Sequence, residues 1–232
     1  MFGSQPFWDT QGALMHSVRT GRVAAEEVLP EGFYGYLAQN GEAAAIFNAA
    51  MTAKAQGQVR GVLAAYDFSA FGTIADIGGG RGHLLRAILE TLPAARGVLF
   101  ELPRVIEEIT DLASDRLQLQ AGDFFKDPLP VCNAYVLMEV VHVFGDAQVM
   151  ALLQSIRHAA PRHARLLVIE QMIPDDPGPH WAKTLDIHML ALLGGRQRSQ
   201  QEYAALLDCA GFAFEREVNT LAGVSIMESI AV

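Results

Sequence analysis

Apolar residues recur at helical spacing over the first seventy positions of the chain. Ala13 and Leu14 follow this spacing after a candidate helix cap at Asp9, and an alanine-rich stretch over residues 42–66 repeats it. Alanine favours helix intrinsically, and no run typical of a strand interrupts this region. The pattern predicts a helical segment over residues 1–70.

Beyond that point, short apolar runs alternate with amphipathic stretches. Runs typical of buried strands lie at residues 72–77, 97–100, 117–120, 134–137 and 165–169. Helical patterns lie at residues 82–92, 105–112, 146–158, 181–193 and 199–210. This alternation is typical of βαβ units, and two final strand-like runs at 212–218 and 224–230 indicate an antiparallel hairpin at one edge. The sequence predicts an α/β domain over residues 71–232 with a seven-stranded, mostly parallel sheet, of which one edge strand is antiparallel.

Composition narrows the classes of function. The 232 residues carry 26 acidic and 17 basic groups, a net charge of −9, so there is no basic excess for a nucleic-acid backbone. No uninterrupted apolar stretch is long enough for a membrane span, and the first residues lack the pattern of a signal peptide. Cys132 and Cys209 do not suggest a disulfide scaffold. We therefore expect a cytoplasmic protein.

Three spaced glycines follow the first predicted strand. Gly78, Gly80 and Gly82 follow Asp76 and Ile77, but His83 stands where the dinucleotide-binding fingerprint needs its last glycine. The Lys-Ser/Thr pair of a P-loop is also absent. The turn therefore lets a ligand approach the backbone without phosphate-binding machinery. A tight strand-to-helix turn with no ligand is the alternative.

Carboxylates also follow the next two predicted strands. Glu101 lies 23 positions beyond Gly78, where a carboxylate can accept hydrogen bonds from both hydroxyls of a ribose. Asp123 ends the third strand, and Phe124 beside it offers an aromatic surface for an adenine. A single strand-end carboxylate is commonly just solvated. Three at the carboxyl ends of successive strands indicate a nucleoside site.

The motifs together resemble those of class I S-adenosylmethionine-dependent O-methyltransferases of the caffeate, polyketide and hydroxyneurosporene type. The matching segments are Asp76–Gly82, Phe100–Val105, Gly122–Phe125, Phe47–Met51, Tyr66–Ser69 and Gly194–Ser199. The resemblance extends over about residues 7–230. It implies a Rossmann-like fold that binds S-adenosyl-L-methionine (SAM) and releases S-adenosyl-L-homocysteine (SAH). It also implies a small aromatic, polyketide or isoprenoid acceptor with a hydroxyl group, and it places Leu102 and Met138 at the cofactor.

The resemblance assigns the general base to His142. An acceptor hydroxyl must lose its proton as the oxygen attacks the methyl group, and histidine is a natural proton acceptor near neutral pH. Glu170 ends the fifth predicted strand and matches a family glutamate that orients the imidazole. A structural histidine and a solvated strand-end charge are the alternatives. No metal is expected.

The chain departs from the family pattern around this base. Val143 and Phe144 stand where the family usually has Asp-Trp after the histidine, and Gln197 replaces the second supporting acid. Met138 replaces a basic residue frequent near the cofactor. Because an amide can hydrogen-bond an imidazole but cannot balance its charge, we expect Gln197 to give weaker catalytic support than a carboxylate.

The resemblance places the acceptor beside Met51, Phe144, Met189 and Leu193. Flexible thioethers suit a flat aromatic or polyene acceptor, although ordinary core packing is the alternative for the two methionines.

Family members usually carry a helical dimerisation domain ahead of the part matched here. We expect this chain to lack that domain, which leaves open whether it forms a homodimer. Two other functions also remain open: the same fold with decarboxylase, hydroxylase or cyclase chemistry, and a catalytically idle partner subunit.

Overall fold

The structure, a computed structural model, describes residues 3–232. Five helices precede the first strand: α1 (Gln5–Gly12), α2 (Leu14–Thr20), α3 (Ala25–Val28), α4 (Gly32–Gln39) and α5 (Gly41–Ala65). The helix expected to start at Asp9 is wrong in its start, because α1 begins at Gln5 with Pro6 in its first turn, where proline needs no backbone donor. Ala13, at φ −87° and ψ 5°, separates α1 from α2. The domain boundary near residue 70 stays a prediction.

The predicted seven-stranded sheet is confirmed. The strands are β1 (Thr73–Ile77), β2 (Arg96–Glu101), β3 (Leu117–Ala121), β4 (Ala134–Met138), β5 (Arg165–Glu170), β6 (Phe212–Asn219) and β7 (Ser225–Ala231). Their order across the sheet is β3-β2-β1-β4-β5-β7-β6. The first five strands pair in parallel, and β7 lies antiparallel between β5 and the edge strand β6. The alternating run at 117–120 accordingly forms the opposite edge strand, β3.

The remaining helices cover both faces of this sheet. They are α6 (His83–Thr91), α7 (Pro103–Glu107), α8 (Asp146–Ala159), α9 (Trp181–Leu192) and α10 (Gln200–Cys209). The single helix predicted over 105–112 is wrong, because α7 ends at Glu107 and a short 3₁₀ turn, Thr110–Leu112, follows. Two hydrogen bonds of 3₁₀ type, from the Glu108 and Ile109 amides to carbonyls three residues earlier, mark the change.

Each face of the sheet packs against its own apolar core. Tyr135, Ile156 and Phe212 belong to the core on one face, and Leu85 and Leu99 belong to the core on the other. Because β1 to β5 are parallel, their carboxyl ends meet at one edge of the sheet. Within residues 3–232, no helix is long and apolar enough to cross a membrane.

Candidate active site

The glycine turn lies between β1 and α6. Gly78, Gly80 and Gly82 have φ values of 70°, 57° and 69°, which side chains disfavour. A Cβ built on Gly78 would also lie 3.2 Å from a methyl carbon of Val140, so the turn is tight as well as left-handed. The backbone at the end of β1 is therefore open to close approach by a ligand, as the sequence predicts.

Asp76 lies beneath this turn, where the backbone amide of Leu85 is the one group that lowers its pKa. It is 2% exposed, and neither carboxylate oxygen has a hydrogen bond of ordinary geometry with any residue in the described part of the chain. Burial first, and then the nearby charge of Glu101, raise the pKa of Asp76 to about 7. An unpaired buried carboxyl group is costly, which points to a site that is completed by something other than this chain.

Glu101 ends β2 and faces the glycine turn. Its Oε2 accepts a hydrogen bond from the Gly80 amide at 3.0 Å, and its Oε1 accepts one from the Leu102 amide at 2.7 Å. The carboxylate is thus held at the edge where a ribose would lie, and Leu102 stands partly exposed beside it.

The third carboxylate, Asp123, already has partners. Its oxygens accept hydrogen bonds from the Phe125 amide at 3.0 Å and the Lys126 ammonium at 2.7 Å, and these contacts lower its pKa. The neighbouring ring of Phe124 packs edge-on against Phe144, with centroids 5.8 Å apart. Phe124 therefore connects the predicted adenine side of the edge with the base side.

His142 and Glu170 are brought together as the sequence predicts. Nδ1 of His142 lies 2.7 Å from Oε2 of Glu170, and the other oxygen of Glu170 accepts hydrogen bonds from the amides of Val141 and His142 at 2.7 and 3.2 Å. Glu170 is 0% exposed. Burial alone would lower the pKa of His142, but the charge and hydrogen bond of Glu170, with the charge of Glu139, raise it.

A buried arginine holds the base segment, which we define as residues 141–146. Arg198 is 0% exposed, and its guanidinium donates to Asp146 at 2.7 Å and to the Phe144 carbonyl at 2.9 Å. It also reaches the Val141 carbonyl at 3.4 Å. The segment's position is therefore fixed from behind by charge-assisted hydrogen bonds.

Arg198 belongs to a second segment, residues 194–198, and Gly195 lets this segment approach the base segment closely. A Cβ on Gly195 would clash with the carbonyl oxygen of His142 and with the backbone of Val143, and the Arg196 amide donates to the His142 carbonyl at 3.0 Å. The two glycines before Arg196 in the sequence are a signal for such an approach. The burial of Arg198 has no comparable local signal.

Gln197 lies in the same segment but does not hydrogen-bond His142. Its side chain is 1% exposed, and both polar atoms of the amide lack a hydrogen-bond partner among residues 3–232. Only its backbone is engaged, because its amide N–H donates to Asp186 at 2.8 Å. The expected hydrogen bond between the Gln197 side chain and the His142 imidazole is therefore not formed in this structure.

A second carboxylate that sequence analysis missed lies beside the base. Glu139, between β4 and the base segment, accepts hydrogen bonds from Gln58 at 3.0 Å and Gln171 at 3.1 Å, and it forms an ion pair with Lys54. Burial would raise the pKa of Glu139, but Lys54 and His142 hold it below its usual value. The spacing of Lys54 and Gln58 places both on one face of α5, but no local sequence signal connects that face with Glu139.

Ligand atoms of Glu139, His142 and Glu170 lie within 4.8 Å of one another, a spacing that a metal ion could bridge. Both carboxylates, however, already accept hydrogen bonds from the chain, and the Lys54 ammonium beside Glu139 repels a cation. Ion pairing and hydrogen bonding account for the cluster.

The residues predicted to line the acceptor site differ in burial. Met189 is buried at 9% exposure, whereas Met51, Phe144 and Leu193 are half-buried. Leu193 packs against the apolar cluster of the helical segment. Met138, at the end of β4, is also half-buried.

Two open clefts lie between α1 and α9. One of about 370 Å³ is lined by Phe7, Trp8, Gln11, Trp181 and His188. The other, of about 400 Å³, is lined by Gln11, Pro179, His180, Lys183, Thr184, Ile187 and His188. They adjoin α9, which carries Met189, but their walls come from other residues than the predicted acceptor set.

Comparison with protein families matches the O-methyltransferase domain to residues 12–213. Because the match covers most of the chain, the chain belongs to the O-methyltransferase domain family.

Individual relatives agree with this assignment. Phenazine O-methyltransferase PhzM of Lysobacter antibioticus is 38% identical over 221 residues, or 93% of this chain and 65% of that protein. The mitomycin biosynthesis 6-O-methyltransferase of Streptomyces lavendulae is 38% identical over 229 residues, or 95% of this chain and 65% of the relative. The crystal structure of human N-acetylserotonin methyltransferase in complex with SAM is similar at a TM-score of 0.87 and 28% identity, covering 99% of this chain and 68% of that chain. The chain thus spans about 65% of the length of these two curated relatives.

Proposed function

We propose that this chain binds SAM at the glycine turn and transfers its methyl group to a hydroxyl of a small aromatic or polyketide metabolite, with His142 as general base. The observation that carries the proposal is the 2.7 Å contact between His142 and Glu170. It lies at the same sheet edge as the glycine turn and Glu101. A base and a nucleoside site side by side are what methyl transfer to a hydroxyl requires.

The residues of the glycine turn fit the cofactor. The left-handed glycines open the backbone, Glu101 holds a carboxylate at the ribose position, and the unpaired Asp76 marks an incomplete polar site. Leu102, Asp123, Phe124 and Met138 would complete the walls. SAM supplies an electrophilic methyl group, and the similar human enzyme was solved with SAM bound.

His142 would move the proton. With Nδ1–H donating to Glu170, the imidazole takes the tautomer whose Nε2 has a free lone pair, and Nε2 accepts the proton of the acceptor hydroxyl. Glu170 then stabilises the imidazolium cation. This base contributes about 10²–10⁴-fold, while placing the reacting atoms together can supply about 7–11 kcal/mol.

The acceptor would be flat and largely apolar. Met51, Phe144, Met189 and Leu193 offer a deformable apolar wall, and two relatives act, by their names, on phenazine and mitomycin compounds. We further propose that the chain works in the cytoplasm as a homodimer, which light scattering of the purified protein tests through its molar mass.

A transfer assay tests the proposal. The chain is incubated with methyl-labelled SAM and hydroxylated phenazines, quinones and benzoates, with the matching methoxy compounds as controls. We expect mass spectrometry to show a gain of one labelled methyl group on hydroxyl acceptors only. SAM binding by calorimetry with no transfer to any acceptor would favour altered chemistry, and no binding would overturn the proposal.

A further inference from the structure

The base of this chain has two carboxylates beside it, although the position that carries a second acid in the family is an amide. One oxygen of Glu139 and one of Glu170 lie within 4.8 Å of each other and of a ring nitrogen of His142. In contrast, the side-chain amide of Gln197 makes no hydrogen bond within the described chain. The second negative charge near the imidazole therefore comes from Glu139, directly after β4, and not from the segment that carries Gln197.

The backbone holds Glu139 in an unfavourable conformation. Its φ is 58°, and among described residues only His163 shares a positive φ without being glycine. Such a conformation costs free energy and persists only where surrounding contacts impose it. Here the Glu139 amide donates to the Ile169 carbonyl at 2.9 Å, which ties it to the end of β5 beside Glu170.

The side chain of Glu139 is held by three donors from two elements. Lys54 and Gln58 come from α5, and Gln171 follows β5. Gln58 and Gln171 are each 6% exposed, so these are interior contacts. The carboxylate is therefore fixed in place and kept ionised while it faces the base.

On this basis, and resting on the function proposed above, we propose that Glu139 is a positioning residue that stabilises the protonated imidazole of His142, a role that the amide of Gln197 cannot fill. Lys54 moderates this effect, because its cation opposes a proton on the imidazole. The charge balance at the base thus depends on α5 packing against the sheet.

The other charged groups near His142 do not replace this role. Glu170 on β5 bonds the imidazole directly, whereas Arg198 and Tyr203 lie behind the base segment. Asp146 is committed to Arg198. Glu139 and Lys54 are the pair whose charges can be changed without removing the direct partner of the base.

A charge cycle at the two positions tests the proposal. Glu139→Gln removes a negative charge and should move the acidic limb of the kcat/KM–pH profile down by about 1 pH unit. Lys54→Met removes a positive charge and should move the limb up. The double variant should fall between the two, near the wild type, and Glu215→Gln, at the opposite end of the sheet, should not move it.

The His142 pKa is also read directly by imidazole NMR titration, with His142→Asn used to assign the signal among the seven histidines. This titration needs no turnover, so it separates a failure of the proposal from a failure of the proposed methyl transfer. Opposite shifts in the two single variants support the proposal. Unchanged pKa values in both folded variants, or shifts in the same direction, would overturn it.

A gain-of-charge variant tests the exchange of roles. Adding Gln197→Glu to Glu139→Gln should return the limb toward the wild-type pH, because it places a carboxylate at the position that carries the second acid in the family. If the limb stays at the position of the single Glu139→Gln variant while the protein is folded, the two positions do not share the role.

Discussion

The buried carboxylates on the two sides of the candidate site differ in their hydrogen bonding. On the glycine-turn side, Asp76 is buried with both carboxylate oxygens unpaired. On the base side, Glu170 is also buried, but one of its oxygens accepts hydrogen bonds from two backbone amides and the other contacts the His142 imidazole. The buried carboxylate on the glycine-turn side thus lacks a hydrogen bond of ordinary geometry within residues 3–232, whereas the buried carboxylate on the base side has its partners within the chain.

This difference indicates two kinds of contribution to one reaction. A ligand-binding edge needs open backbone and polar groups that a ligand can engage. A general base needs a fixed tautomer and a fixed position before the substrate arrives. Changes on the base side should therefore affect turnover and stability, and changes on the glycine-turn side should affect ligand affinity and the pH dependence of folding.

The largest effect is expected at the base. His142→Asn should lower kcat by about 10²–10⁴-fold, because the proton acceptor is lost, while the Kd for SAM stays within about twofold. Steady-state kinetics and calorimetry measure the two quantities separately. His158→Asn, exposed on α8, is the matched control and should change neither. Equal loss of turnover and SAM binding in His142→Asn would show that the two sides are not separable.

Asp76 should make folding sensitive to pH. Its pKa rises to about 7 in the folded chain, so the folded state keeps a proton that the unfolded state has lost. The wild type should lose stability as the pH rises from about 4 to about 7, and Asp76→Asn should not share this loss. The difference in unfolding free energy, Asp76→Asn minus wild type, should therefore increase by up to about 4 kcal/mol between about pH 4 and pH 8.

Urea titrations of the ligand-free chain at several pH values check this expectation. Asp123→Asn is the contrasting variant, because the pKa of Asp123 is lowered in the folded chain. Asp123 therefore favours folding above its unfolded pKa, and this contribution is lost as the pH falls. A pH-independent difference between wild type and Asp76→Asn would contradict the unpaired state of Asp76.

Arg198 should matter next, through the base segment. Arg198→Met removes donors to the buried carbonyl groups behind His142 and should lower the unfolding free energy by about 3 kcal/mol. Arg196→Met removes an exposed arginine that pairs with the same Asp146, and it should cost less than about 1 kcal/mol. Equal losses in the two variants, measured by urea unfolding, would show that burial of Arg198 does not hold the segment.

Much of this fold follows from sequence because the four central strands, β2, β1, β4 and β5, are compact and mostly apolar runs bounded by glycines or polar residues. The pairing of His142 with Glu170 could also be predicted, since both follow adjacent parallel strands in motifs that the family shares. The contact between Lys54 and Glu139 could not, because it joins residues 85 positions apart through the packing of α5. The break at Ala13 was not predicted because Ala13 and Leu14 continue the helical spacing of apolar residues across it, although Gly12 precedes them.

The most direct measurement is calorimetric titration of SAH into the wild-type chain and into Glu101→Gln. We expect measurable binding to the wild type and an affinity about 10–100-fold weaker in the variant, because a charged hydrogen-bond acceptor at the ribose position is lost. No heat of binding to the folded wild type, or equal affinities for the two proteins, would contradict the claim that the glycine-turn edge binds the methyl donor.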